Sequence, residues 1–147
     1  MGETVKQKVL FLCTTNSCRS QIAEGLLRAL AGDQFEAYSA GAVAFSIHPL
    51  AKTVMSEIGI DISGHRSKSV VEYITEQFDY VITVCGEHAT KLCPAFVGEA
   101  KHRLHWSFID PVEAVGNDQE VLAVFREARE EIKASVKRFV EESKELE

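Results

Sequence analysis

The sequence predicts an α/β protein: a single domain over residues 1–147 in which a four-stranded parallel sheet is flanked by helices. Three observations predict it. Short apolar runs of strand length alternate with segments whose apolar residues recur at three- and four-residue steps. No internal repeat, linker or low-complexity tract interrupts the alternation. A length of 147 residues suits one hydrophobic core that folds without disulfides or metals.

Lys8-Val9-Leu10-Phe11-Leu12 is a continuous apolar run, the pattern of a strand buried on both faces. Small polar residues follow, then Ile22, Leu26, Ala29 and Leu30 at helical spacing, which predicts strand, loop, helix. Phe35 to Ser39 is a second strand candidate, closed by Ala40-Gly41. A helix is predicted from about His48 to Ile58, with Pro49 suited to its first turn and Gly59 to its stop. Asp79-Tyr80-Val81-Ile82-Thr83-Val84 is the clearest β segment, and it runs into Cys85. A fourth strand, roughly Arg103 to Trp106, leads to Asp110-Pro111. From Gln119 onward Val121, Leu122, Phe125, Ala128, Ile132, Val136, Phe139 and Val140 form the apolar stripe of a long helix. Glu120, Glu127, Glu130, Lys133 and Lys137 sit on its solvated face.

The apolar fraction of 46% and charged fraction of 26% give no case for disorder. A net charge of -6 argues against a nucleic-acid surface, which leans on Lys and Arg to neutralise phosphates. The first apolar run is far too short for a signal peptide or membrane span, so a cytoplasmic protein without membrane attachment is expected. A monomer is expected. In a reducing compartment the four cysteines point to catalysis or metal binding rather than to a disulfide framework.

In a doubly wound sheet, ligands bind beyond the carboxyl ends of the strands where the strand order reverses. Cys13 ends the first strand, Cys85 ends the third, and Asp110 lies just past the fourth. Cys13-Thr14-Thr15-Asn16-Ser17-Cys18-Arg19-Ser20 places five residues between a cysteine and an arginine, between strand and helix. This spacing builds a nest for a tetrahedral dianion. Backbone N–H groups of Thr14, Thr15, Asn16, Ser17, Cys18, Arg19 and Ser20 converge on its oxygens, the helix N-terminus adds its positive end, and Arg19 can make a bidentate contact. The same field favours thiolate over thiol at Cys13, aided by a hydrogen bond from Ser20.

The full stretch Val9 to Gly25, VLFLCTTNSCRSQIAEG, resembles the loop of low-molecular-weight tyrosine phosphatases and of the thioredoxin-coupled arsenate reductases that share their fold. The resemblance extends through Tyr38-Ser39-Ala40-Gly41, Gly59 to His65, Cys85 to Pro94, and His105 to Pro111. Phosphatases of this type follow Arg-Ser with Pro and Asp-Pro with aromatic residues that clamp an aryl ring. Here Gln21 and Val112-Glu113 occupy those positions, while Cys85 and Cys93 resemble the redox pair of the reductases.

The resemblance therefore implies arsenate as substrate and thioredoxin as reductant, with Cys13, Arg19, Cys85, Cys93 and Asp110 as catalytic residues. It implies no cofactor and no metal. Cys13 attacks arsenic while Asp110 protonates the leaving oxygen. Cys85 attacks Cys13, expelling arsenite, and Cys93 then attacks Cys85 to leave a Cys85–Cys93 disulfide for an external dithiol. If residues 85–93 were helical, the two Cα atoms would lie roughly 12 Å apart, beyond the ~7 Å a disulfide spans, so the segment must unwind in turnover. Gly86 to Leu92 is one residue longer than in the family pattern. The alternative is a phosphatase working through a phosphocysteine on Cys13, with Cys85 and Cys93 incidental.

Other residues carry plainer expectations. Zinc is not expected, since no C-x2-C pair is present. His48 and His65 suit loop or capping roles, and Trp106 suits packing. Some related reductases bind potassium at positions matching Asn16, Glu24 and Ser39, but Lys68 stands where a carboxylate is expected. Its ammonium is expected to pair with Glu24 in place of the cation.

Overall fold

In the computed structural model the described residues are 5–85, 96 and 98–145. Among them lies a four-stranded sheet of β1 (Gln7–Cys13), β2 (Phe35–Gly41), β3 (Gln77–Thr83) and β4 (Glu99–His105). All pairs are parallel, and the spatial order is β2-β1-β3-β4. The helices are α1 (Arg19–Ala31), α2 (Pro49–Ser56) and α3 (Asp118–Glu145), with 3-10 turns at Val70–Tyr73 and Pro111–Glu113.

β1 is central, and Val9, Leu10, Phe11 and Leu12 have no exposure at all, because the sheet is covered on both faces. One face packs Val9 and Phe11 against Ile22 and Leu26 of α1, Val54 of α2, and Phe125, Ile132 and Val136 of α3. The other face buries Leu10, Leu12, Phe78 and Val81 with Phe96, and Tyr38 and Tyr73 meet Phe78 edge-on. Trp106 packs against Phe11, Phe108 and Phe139, the packing role its sequence context predicts. No described helix is long and apolar enough to cross a membrane.

Local signals set the helix ends. His48 caps α2, its Nδ1 accepting from the Leu50 N–H at 3.1 Å, and Pro49 sits where a missing N–H costs nothing. Past the helix, Gly59 takes φ 79° as the Ile60 N–H returns to the Met55 carbonyl. β3 and β4 begin earlier than the apolar runs predicted, β3 at Gln77 rather than Asp79. β4 starts at Glu99 rather than near Arg103, because Glu99 to His102 lie on an edge strand whose side chains need not be apolar.

The register decides where the chemistry can sit. Cys13 pairs with Gly41, Leu12 with Thr83, and Thr83 with His105, so one carboxyl edge carries the ends of all four strands. The pairing continues past the strands, with the Val84 N–H donating to the Leu12 carbonyl and the Trp106 N–H to that of Thr83, both at 2.8 Å. The order reverses between β1 and β3, at Cys13.

Candidate active site

Cys13 is buried at the root of the loop that joins β1 to α1. Its Sγ lies 2.8 Å from Ser20 Oγ. No side chain caps the first turn of α1, whose N-cap residue is Cys18, so its leading N–H groups remain directed into the loop. Asn16 takes the left-handed conformation at φ 53°, a region Asn tolerates better than most residues. Thr15 Oγ1 and Ser17 Oγ meet at 2.7 Å across the rim.

Arg19 is the first residue of α1 and is buried. Its NH1 donates to the Phe108 carbonyl at 3.3 Å, and its NH2 lies 3.4 Å from Asp110 Oδ2. Asp110 in turn caps the Pro111–Glu113 turn through Oδ1, which accepts from the Val112 N–H. The carboxylate is thereby brought over the loop from the far side of the sheet, with 29% of its side chain exposed. Cys18 is also buried. Burial first, then the charges of Asp110 and Cys13, push its ionisation far upward against Arg19, so it stays a neutral thiol.

Cys85 is fully buried one residue beyond the Val84–Leu12 hydrogen bond, at the strand end beside Cys13. Cys93 lies outside the described residues. Cys13 and Cys18 are free thiols. No metal-competent cluster of three or more His, Cys, Asp or Glu occurs among the described residues.

Behind the loop, Glu24 Oε1 accepts from Ser39 Oγ at 2.6 Å and lies 3.3 Å from Lys68 Nζ. Its Oε2 lies 2.8 Å from Arg28 NH2 and 3.5 Å from His65 Nδ1. Burial opposes ionisation of this carboxyl, but Lys68, the Ser39 hydroxyl, His65 and Arg28 together hold it below the ordinary range. Lys68 thus pairs with Glu24 as its sequence position suggested.

Gly41 closes the other side. A Cβ there would stand 2.7 Å from the Asn16 nitrogen and 2.8 Å from the Thr14 carbonyl oxygen, so only glycine lets β2 end against the loop. A cavity of about 610 Å³ lined by Lys8, Asp79, Lys101 and Arg103 opens at the opposite, amino edge of the sheet, away from Cys13.

Residues 8–147 match the low molecular weight phosphotyrosine protein phosphatase family. The chain belongs to that family. An arsenate reductase of Halalkalibacterium halodurans is 46% identical over 139 residues, covering 95% of this chain and 99% of that one. A solved arsenate reductase in the phosphate-binding state superposes with a TM-score of 0.76 at 32% identity, covering 92% of this chain and 98% of that one. A thioredoxin-dependent arsenate reductase of Corynebacterium glutamicum gives a TM-score of 0.59 at 33% identity, over 92% of this chain and 64% of the larger one.

Within this phosphatase-family fold, the structure brings together Cys13, the loop from Thr14 to Ser20, Arg19 and Asp110, and it places Cys85 on the same edge. Sequence reasoning missed how Gln21, His65 and Arg66 join the loop from behind. It also missed Phe45, whose N–H reaches the Thr15 carbonyl and Ser67 Oγ while the residue is 74% exposed. An aromatic residue just after a β2 end that touches the loop is the signal that could have found it.

Proposed function

We propose that this chain is a thioredoxin-coupled arsenate reductase: one domain over residues 1–147, working as a monomer in the cytoplasm without metal or cofactor. The observation that carries the reading is the pairing of two strand ends. Cys13 lies at the base of an uncapped anion nest, and Cys85 follows the strand end bonded to it.

Arsenate enters as a tetrahedral anion held by the N–H groups of residues 14–20 and by Arg19. The Cys13 thiolate, hydrogen-bonded by Ser20, attacks As(V), and Asp110 gives its proton to the departing oxygen, which leaves as water. The Cys85 thiolate then attacks Cys13 Sγ. The S–As electron pair stays on arsenic, which departs as As(III) arsenite, and a Cys13–Cys85 disulfide remains. Cys93 attacks Cys85, returns Cys13 as thiolate and leaves a Cys85–Cys93 disulfide, which the thioredoxin dithiol reduces. Two electrons travel from thioredoxin to arsenic per turnover.

A second reading, phosphomonoester hydrolysis, draws on Phe45, which supplies an exposed aromatic residue at a site whose Asp-Pro turn has none. One set of assays separates them. Arsenite release driven by a thioredoxin system should vanish in Cys13→Ser and fall by at least about tenfold in Cys85→Ser and Cys93→Ser. Robust aryl-phosphate hydrolysis in the latter two variants, with no arsenite release from the unaltered chain, would establish hydrolysis instead.

A further inference from the structure

Gln21 is the third residue of α1 and is completely buried, yet no helical hydrogen bond requires its amide. Its Nε2 faces three oxygens: Asn16 Oδ1 at 2.8 Å, the Arg66 carbonyl at 3.0 Å and the Asn16 carbonyl at 3.2 Å. Its Oε1 lies 2.9 Å from His65 Nδ1. A backbone carbonyl only accepts, so Arg66 fixes which way the Gln21 amide points. The proton between Gln21 and His65 therefore sits on Nδ1, leaving Nε2 to accept from Arg28 NH1 at 2.9 Å.

Asn16 is oriented by the same logic. The Lys68 N–H, which can only donate, reaches Asn16 Oδ1 at 2.8 Å. The Asn16 amide nitrogen must then donate to Ser20 Oγ at 2.7 Å, which turns the Ser20 hydroxyl hydrogen toward Cys13 Sγ at 2.8 Å. From His65 through Gln21, Asn16 and Ser20, every hydrogen points at the Cys13 sulfur, and such aligned chains polarise one another.

We infer that Gln21 is a positioning residue: it clamps Asn16 in its left-handed turn through both main chain and side chain, and so aims the Ser20 hydroxyl at Cys13. The inference deepens the proposed reduction, in which Cys13 is the nucleophile. The charged groups around the chain are Glu24, Arg28, Asp61 and Lys68 at its His65 end, and Arg19 and Asp110 at its cysteine end, with neutral Cys18 beside them.

The test uses the full chain with Gln21→Met, which keeps length and loses every hydrogen bond, and Gln21→Glu, which keeps an acceptor for His65 but loses the donors. Iodoacetamide alkylation of Cys13, followed by mass spectrometry across pH, should shift its midpoint upward by about one unit in both, a tenfold loss of reactivity at pH values below the wild-type midpoint. Protection by inorganic phosphate should weaken by a similar factor, and kcat for arsenite release should fall more than KM changes. Folded variants, with unchanged circular dichroism, that keep the wild-type alkylation profile and phosphate protection overturn the inference. In the unaltered chain the Gln21 and Asn16 side-chain amide protons should exchange slowly and shift on Cys13 alkylation; freely exchanging amides overturn it too, whatever the variants do. Alkylation and phosphate protection need no arsenate, so an unaltered chain that releases no arsenite sinks the proposed function and leaves this inference standing.

Discussion

Lys68→Ala removes one charge from a buried cluster and strands its partner. Glu24 and Lys68 side chains are 5% and 9% exposed and 3.3 Å apart. Removing one member of such a pair costs about 3–5 kcal/mol, since the other is left buried and less well compensated. Glu24 keeps Ser39 and the half-exposed Arg28, so we place the loss near 3 kcal/mol, the low end of that range. For a chain of this size that is roughly 10 °C in melting temperature. The folded Glu24 carboxyl ionises below its unfolded counterpart, so its contribution is complete above the ordinary carboxylate range and lost as pH falls through the lowered value. The gap between wild type and variant should therefore be widest near neutrality and close in acid. Burial holds His65 neutral, which adds a loss in the same direction to both chains below the ordinary histidine range. With the ammonium in place, potassium should neither raise arsenite release nor stabilise the wild type beyond an equal concentration of sodium, whereas Lys68→Ala should recover stability selectively with potassium. Calorimetry in matched potassium and sodium chloride reads both. A variant melting within about 2 °C of wild type at neutral pH, or a potassium-specific gain in wild-type activity, refutes the reasoning.

Asp110→Asn should slow the first chemical step by roughly 10²–10⁴, the range of a lost general acid, while phosphate protects Cys13 at least as well as in wild type because Arg19 loses a competing carboxylate. Weaker protection would count against that pairing. Gly41→Ala drives a Cβ into the backbone of Thr14, Thr15 and Asn16, so phosphate protection and turnover should collapse together in a chain that circular dichroism reports as folded. Turnover near the wild-type value would show that the loop can yield. Cys18→Ala should retain arsenite release and lose about 1 kcal/mol of stability in urea unfolding, as for a small buried apolar group, because Cys18 is a neutral, packed thiol. Abolished release in a folded variant would assign it a redox role.

Much of the fold was legible because local pattern and burial agree. β1 reads as a continuous apolar run since it is covered on both faces, and α3 reads from its stripe because only one face packs. β4 was half hidden: its side chains are mostly exposed, and its place is set by backbone pairing with β3. Cys13, Arg19 and Ser20 were legible because a short loop between strand and helix ties them together by spacing alone. The back of the site was not. His65 and Lys68 lie 44 residues from Gln21 and Glu24 respectively, and only the return of residues 66–69 to the end of β2 brings them in. The left-handed turn at Asn16 likewise follows from tertiary clamps that no local propensity announces.

The choice between hydrolysis and reduction turns on direction. A nucleophile that splits the intermediate at phosphorus or arsenic arrives from the open mouth of the nest, where Asp110 is partly exposed and water can be activated. A thiolate that splits it at sulfur must arrive along the S–As axis from behind Cys13, on the protein side. Cys85 lies two residues past β3, and the intervening Val84 is bonded to the backbone of Leu12, so in the proposed scheme its sulfur comes from that protein side. Cys85 is fully buried and disulfide-bonded in this structure, so the proposed scheme requires that it become accessible before thioredoxin can reduce it. In the proposed scheme Arg19, Asp110 and the loop serve either chemistry; Cys85, just past the adjoining strand, is the residue that hydrolysis has no use for.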